Sequence, residues 1–92
     1  MLNAEAGGEL LPRMIRVVQE HLRRGNGVAG IDAETPLFEG GLELDSIDIV
    51  ELVALVEQTF TIEFRYEDLD PEHFRTMGTL AAVVARRAAE RG

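Results

Sequence analysis

Apolar residues recur at helical spacing in three separated stretches of this chain, and the segment between the first two cannot itself be regular. From Glu9 to Arg24, Leu11, Met14, Ile15, Val18 and Leu22 fall on one helical face. Pro12 is placed near the start of that helix, where a missing N–H costs little, and Gly25 and Gly27 end it. Residues 25–45 then carry five glycines and Pro36. Yet Val28, Ile31, Leu37, Phe38, Leu42 and Leu44 make this connection too apolar for a free linker, so it is expected to pack over the core as a long ordered loop. A second helix follows Asp45, with Ile49, Leu52, Val53, Val56 and Phe60 as its apolar stripe, and the β-branched run Thr59–Ile62 should let it end. A short helical turn is expected around Tyr66–Leu69. A last helix should run from about Thr76, its N-cap, to Ala89, with Phe74 as a core anchor just before it. The expected fold is all-α: a four-helix bundle of three longer helices plus one short, with a long structured loop between helices one and two. Residues 1–8 are set apart as a disordered N-terminal tail and 9–90 as the domain.

Ninety-two residues allow one small domain, and 46% hydrophobic content supplies one modest core. The absence of cysteine excludes disulfide scaffolds, thiol catalysis and cysteine zinc sites. No apolar run reaches the ~20 residues of a membrane span, and the first residues lack the pattern of a signal peptide, so a cytoplasmic protein is expected. Charge constrains function further. Residues 32–72 hold thirteen acids against one base, Arg65, while the two ends hold four acids and eight arginines; there is no lysine. So negative a centre repels phosphate, which argues against nucleic acid, and attracts a partner with a basic patch.

No catalytic or metal-ligating constellation is visible. His21 and His73 are far apart, with no repeated ligand pattern around either; the glycine pairs lack the lysine or the preceding strand of a phosphate loop; and no GxSxG surrounds a serine. The single serine, Ser46, stands at the start of the second helix. On spacing alone Asp45-Ser46 reads as a pair of capping residues, with Asp48 adding first-turn negative charge. Asp48, Glu51 and Gln58 point away from the apolar stripe, and Ile47, Val50 and Ala54 lie beside the carboxylates.

The stretch Gly41-Leu42-Glu43-Leu44-Asp45-Ser46-Ile47-Asp48-Ile49-Val50-Glu51-Leu52 closely resembles the site of acyl carrier proteins. In that family an Asp-Ser-Leu/Ile triplet opens the second helix and the serine carries a 4′-phosphopantetheine arm. Ile31-Asp32 and Thr35-x-Leu37-Phe38 resemble the family's first loop, Leu55-x-Glu57-x-x-Phe60-x-Ile62 the end of its second helix, and Phe74-Arg75-Thr76-x-x-x-Leu80 the entry to its last. The resemblance spans about residues 9–88. It implies a non-enzymatic carrier with 4′-phosphopantetheine on Ser46, Asp45 assisting a phosphopantetheinyl transferase, and no resident metal. It also implies that Asp48, Glu51 and Glu57 meet basic patches on the transferase and on acyl-handling enzymes, around a small apolar centre of Ile47, Val50 and Ala54. Exposed charge pairs of ~0.2–1 kcal/mol each suit the weak, fast docking of a monomeric shuttle. The resemblance further implies that an attached acyl chain shelters partly in the core between the helices, with Val53, Val56, Ile62 and Val84 as candidates.

Three features depart from the family pattern: Glu43 stands where glycine is usual two residues before the aspartate, Gly41-Leu42 replaces the frequent Asp-Leu, and arginine replaces lysine with a basic tail. They point to a specialised pathway over housekeeping fatty-acid synthesis, with fatty acid, polyketide, modified lipid and amino-acid loading all open. Two other readings remain at this stage: a peptidyl or aminoacyl carrier, and an unmodified acidic helical adaptor for a basic partner. A hydrolase using Ser46 would need a base beside it.

Overall fold

The computed structural model describes residues 2–21 and 30–91. Among the described residues are three α-helices, α1 (Leu2–His21), α2 (Ser46–Phe60) and α3 (Met77–Arg91), with an ordered loop segment, residues 30–45, leading into α2 and two 3-10 turns, Tyr66–Leu69 and Pro71–Phe74, between α2 and α3. The described residues form no sheet, only an isolated bridge between Pro36 and Thr76. The all-α expectation stands; among the described residues the expected three longer helices are present, and the one short helix is corrected to two 3-10 turns. Pro71 explains the division: it cannot donate a backbone hydrogen bond, so the short helical element breaks at Asp70 and restarts with the proline in its first turn.

α1 begins at Leu2, seven residues ahead of the Glu9 where the apolar repeat begins. Pro12 consequently lies inside the helix, not in its first turn, and removes one i→i−4 hydrogen bond. Leu10 is the first described side chain of α1 in the core, followed by the fully buried Met14 and Val18. The expected end of this helix at Arg23–Gly25 lies outside the described residues, as do Leu22 and Val28. Leu52 and Val56 of α2, and Met77, Leu80 and Val84 of α3, complete the helical part of the core, with Ile62 and Phe74 closing its ends. α1 packs mainly on α3. Across to α2, the Arg13 guanidinium lies 4.6 Å from the Phe60 ring centre, within range for a cation–π contact.

The loop before α2 is built as its composition suggests. Ile31, Leu37, Leu42 and Leu44 are buried. The loop is strapped to α3 by main-chain bonds: the Leu37 amide donates to the Arg75 carbonyl (3.1 Å), and the Met77 and Gly78 amides donate to the carbonyls of Thr35 (3.0 Å) and Ala33 (2.9 Å). Two otherwise unpartnered amides at the start of α3 are thereby satisfied. Thr76 caps the same helix, its Oγ1 accepting from the Thr79 amide at 3.1 Å. A side chain at Gly78 would meet the Ala33 carbonyl at 2.9 Å, so this approach of helix to loop requires glycine. The loop delivers the chain to Asp45 in extended conformation, and the helix carrying Ser46 starts at once.

Candidate functional site

The start of α2 is fixed by a reciprocal pair. Asp45 has extended backbone (φ −103°, ψ −174°); its Oδ1 accepts from the Asp48 amide at 2.9 Å, and Asp48 Oδ2 accepts from the Asp45 amide at 3.0 Å. This capping box assigns the cap to Asp45 and makes Ser46 the first helical residue. The distinction matters chemically. A capping serine would aim its hydroxyl back at the helix, whereas Ser46 is exposed and its side chain makes no hydrogen bond among the described residues. Its own amide and that of Ile47 have no intrahelical partner, so the positive end of the α2 dipole opens beside the hydroxyl. Such a position suits a covalently attached phosphate: the diester would sit where first-turn amides and the dipole favour negative charge, by about 0.3–1 kcal/mol.

Ile47, Val50, Glu51 and Ala54 follow i, i+3, i+4, i+7 spacing and form one face, all exposed. Ile47 is 76% and Val50 70% exposed, large values for branched apolar side chains in a chain with so small a core. Ser46, Ile47, Val50 and Glu51 line a shallow hollow at the helix start. The other two expected contact residues are placed differently. Asp48 is half-buried in the capping box. Glu57 lies three turns on, roughly 16 Å along the axis, where its Oε2 accepts from the Phe64 amide at 2.9 Å. Ile47, Val50, Glu51 and Ala54 thus share one exposed face of α2 that starts beside Ser46, while Asp48 and Glu57 make bonds that shape the backbone.

Beside this face an open apolar groove of about 420 Å³ runs between the loop, α2 and the 3-10 turns. Its walls are Phe38, Ile49, Val50, Val53, Leu69, Pro71 and Phe74. Of the four residues expected to shelter an acyl chain in the core between the helices, Val56, Ile62 and Val84 are buried in that core, and Val53 borders the groove. Phe38, at 41% exposure, is the groove residue that the sequence had placed only as loop packing.

On the far side of the first 3-10 turn lies a feature that the sequence reading missed. Asp68 is fully buried, and Arg87 of α3 bonds it through two nitrogens, Nε to Oδ2 at 2.6 Å and an Nη to Oδ1 at 2.9 Å. The Arg65 amide donates to the same carboxylate at 2.8 Å, and Glu90 takes the other Arg87 nitrogen at 2.7 Å. The Arg87 hydrogen bonds hold the Asp68 carboxyl below its ordinary range despite burial, and Asp68 in turn raises Arg87. The only signal available was position: Arg87 continues the Leu80, Val83, Val84 face of α3, an unusual place for a charge without a partner. Neither histidine shares the Ser46 hollow: His73 Nδ1 lies 3.0 Å from the Asp68 carbonyl, and His21 ends the described part of α1 beside Arg13 and Thr59. Among the described residues no group of three or more possible metal ligands converges.

Comparison with known proteins agrees with this geometry. Residues 13–85 match the family described as the phosphopantetheine attachment site. A probable acyl carrier protein, PigG, of Serratia sp. (strain ATCC 39006) is 33% identical over 57 residues. That alignment takes in 62% of this chain and 64% of PigG, so it spans less than two thirds of the relative's length. No solved structure matches the chain.

Proposed function

The chain belongs to the phosphopantetheine-attachment family, and on that premise we propose that it is an acyl carrier in which Ser46 takes up the arm. Members of this family are carriers and not enzymes, and their cofactor is covalently bound 4′-phosphopantetheine. The observation that carries the assignment to Ser46 is the division of labour at the start of α2: Asp45 caps, leaving the neighbouring hydroxyl exposed and unspent. Bound there, the arm would supply a terminal thiol to hold acyl groups as thioesters. The chain's own residues hold the attachment oxygen at a rigid helix start and offer amides and a dipole to the diester. They also present Ile47, Val50, Glu51 and Ala54 to the enzymes that load and use the arm. The groove past Val50 and Phe38 is the place on this surface where an apolar cargo could leave water.

The partners implied are a phosphopantetheinyl transferase and acyl-handling enzymes with basic surfaces, and the cargo belongs to fatty acid, polyketide or related lipid synthesis. No helix of the described residues is long and apolar enough to cross a membrane. Intact mass after incubation with coenzyme A and a broad-specificity transferase tests the assignment. The wild type should gain one phosphopantetheinyl group and Ser46→Ala none, with the two proteins melting alike. A gain retained in Ser46→Ala would move the attachment elsewhere.

A further inference from the structure

Tyr66 is the single tyrosine of the chain and, among the described residues, the most exposed large hydrophobic one, 92% accessible, so it contributes almost nothing to the core. It opens the first 3-10 turn, where residues three apart eclipse, and Leu69, 48% exposed, therefore stands on the same side. Leu69 shares a groove with Val50, and Val50 shares a hollow with Ser46 and Ile47. An exposed apolar track thus runs from the attachment serine through Ile47, Val50 and Leu69 to Tyr66.

The turn that carries the end of this track is only four residues long, yet its backbone is pinned from behind by the buried Asp68–Arg87 pair. Rigid presentation of an aromatic side chain is what a docking anchor needs, since little order is lost on binding. Charge says what covers it. Glu51 and Asp70 are exposed along the track, whereas Glu67 is drawn to Arg87 at 3.5 Å and Arg65 to Glu90 at 3.5 Å, both on the clamp side of the turn. An enzyme that modifies Ser46 must hold coenzyme A, a polyanion, in a cationic site held against the serine, and such a site complements an acidic rim.

We infer that Tyr66, with Leu69, is an anchor for the phosphopantetheinyl transferase, extending its contact from α2 onto the first 3-10 turn. The inference rests on the carrier reading of Ser46. Steady-state transfer from coenzyme A by a broad-specificity transferase tests it, with Tyr66→Ala, Tyr66→Phe and, as a control on an exposed α1 residue, Gln19→Ala. Tyr66→Ala should lower kcat/KM about tenfold or more through KM, as expected on losing a docking hot spot. Tyr66→Phe and Gln19→Ala should stay near wild type. Because the chain holds one tyrosine, fluorotyrosine labelling gives one fluorine resonance, which should shift when transferase is added without coenzyme A. Wild-type efficiency in Tyr66→Ala, a loss confined to kcat, or an equal loss in Gln19→Ala would overturn the anchor while leaving the carrier reading intact. No transfer to the wild type would overturn the carrier reading and the anchor with it.

Discussion

Thr61 occupies left-handed backbone (φ 54°, ψ 53°) one residue past α2, its amide and that of Ile62 both donating to the Glu57 carbonyl. A branched Cβ in that conformation costs on the order of 1 kcal/mol, which glycine would not incur. Thr61→Gly should therefore raise stability by about 1 kcal/mol, and Thr61→Ala, which keeps a Cβ, by much less; chemical denaturation curves of the two separate them. The β-branched run Thr59–Ile62 correctly marked where the helix stops. That the stop needs a positive φ was not legible, because no glycine announces it. Glu43 is the converse case: the resemblance flagged a glycine replaced there, and the backbone is indeed left-handed (φ 56°). The place of Ser46 at the start of α2 was legible, but the freedom of its hydroxyl was not. Asp45 and Ser46 are both good caps, and only the extended backbone of Asp45 assigns the cap to one of them.

At the scale of elements, the three helices were read from their apolar stripes, since Met14, Val18, Leu52, Val56, Leu80 and Val84 are all buried where the periodicity puts them. The clamp between the first 3-10 turn and α3 was hidden, because Asp68 and Arg87 lie 19 residues apart and Asp68 stands within a run that reads as acidic surface. Arg87→Met should destabilise the fold by about 3–5 kcal/mol by leaving the Asp68 carboxylate buried without its counter-charge. Asp68→Leu combined with Arg87→Met should recover most of that, less the bond to the Arg65 amide. The pair also fixes a pH dependence. Asp68 has a lowered pKa in the folded state, chiefly through its Arg87 hydrogen bonds, with Arg86 adding attraction. Its stabilisation is thus fully present above the ordinary carboxylate range, near pH 4, and is lost as pH falls through and below it. Thermal melts from pH 7 to 2 should show this loss in the wild type and a shallower one in the double variant.

The whole molecule carries −8, and its acidic middle was read as a surface that repels itself. The structure gives part of that charge a local use. At least six of the thirteen central acids accept backbone amides: Asp32 from Glu34, Asp45 from Asp48, Asp48 from Asp45, Glu57 from Phe64, Asp68 from Arg65 and Asp70 from Glu72. Short acidic side chains bonding nearby amides are what turn and cap positions favour, so the composition that repels nucleic acid also shapes the connections between helices. These bonds do not cancel the net charge, and compaction still brings it together. At low ionic strength the Debye length, about 30 Å at 0.01 M, matches the longest dimension of the fold, 33 Å, so every carboxylate feels the others; at 0.15 M it falls to about 8 Å. Added salt should therefore raise the melting temperature by several degrees, equivalent to about 1 kcal/mol for a domain this small. Because no three carboxylates converge among the described residues, magnesium should act by screening alone and match sodium chloride at equal ionic strength. A larger rise with magnesium would mean that a bound ion, and not the ionic atmosphere, neutralises the acidic face.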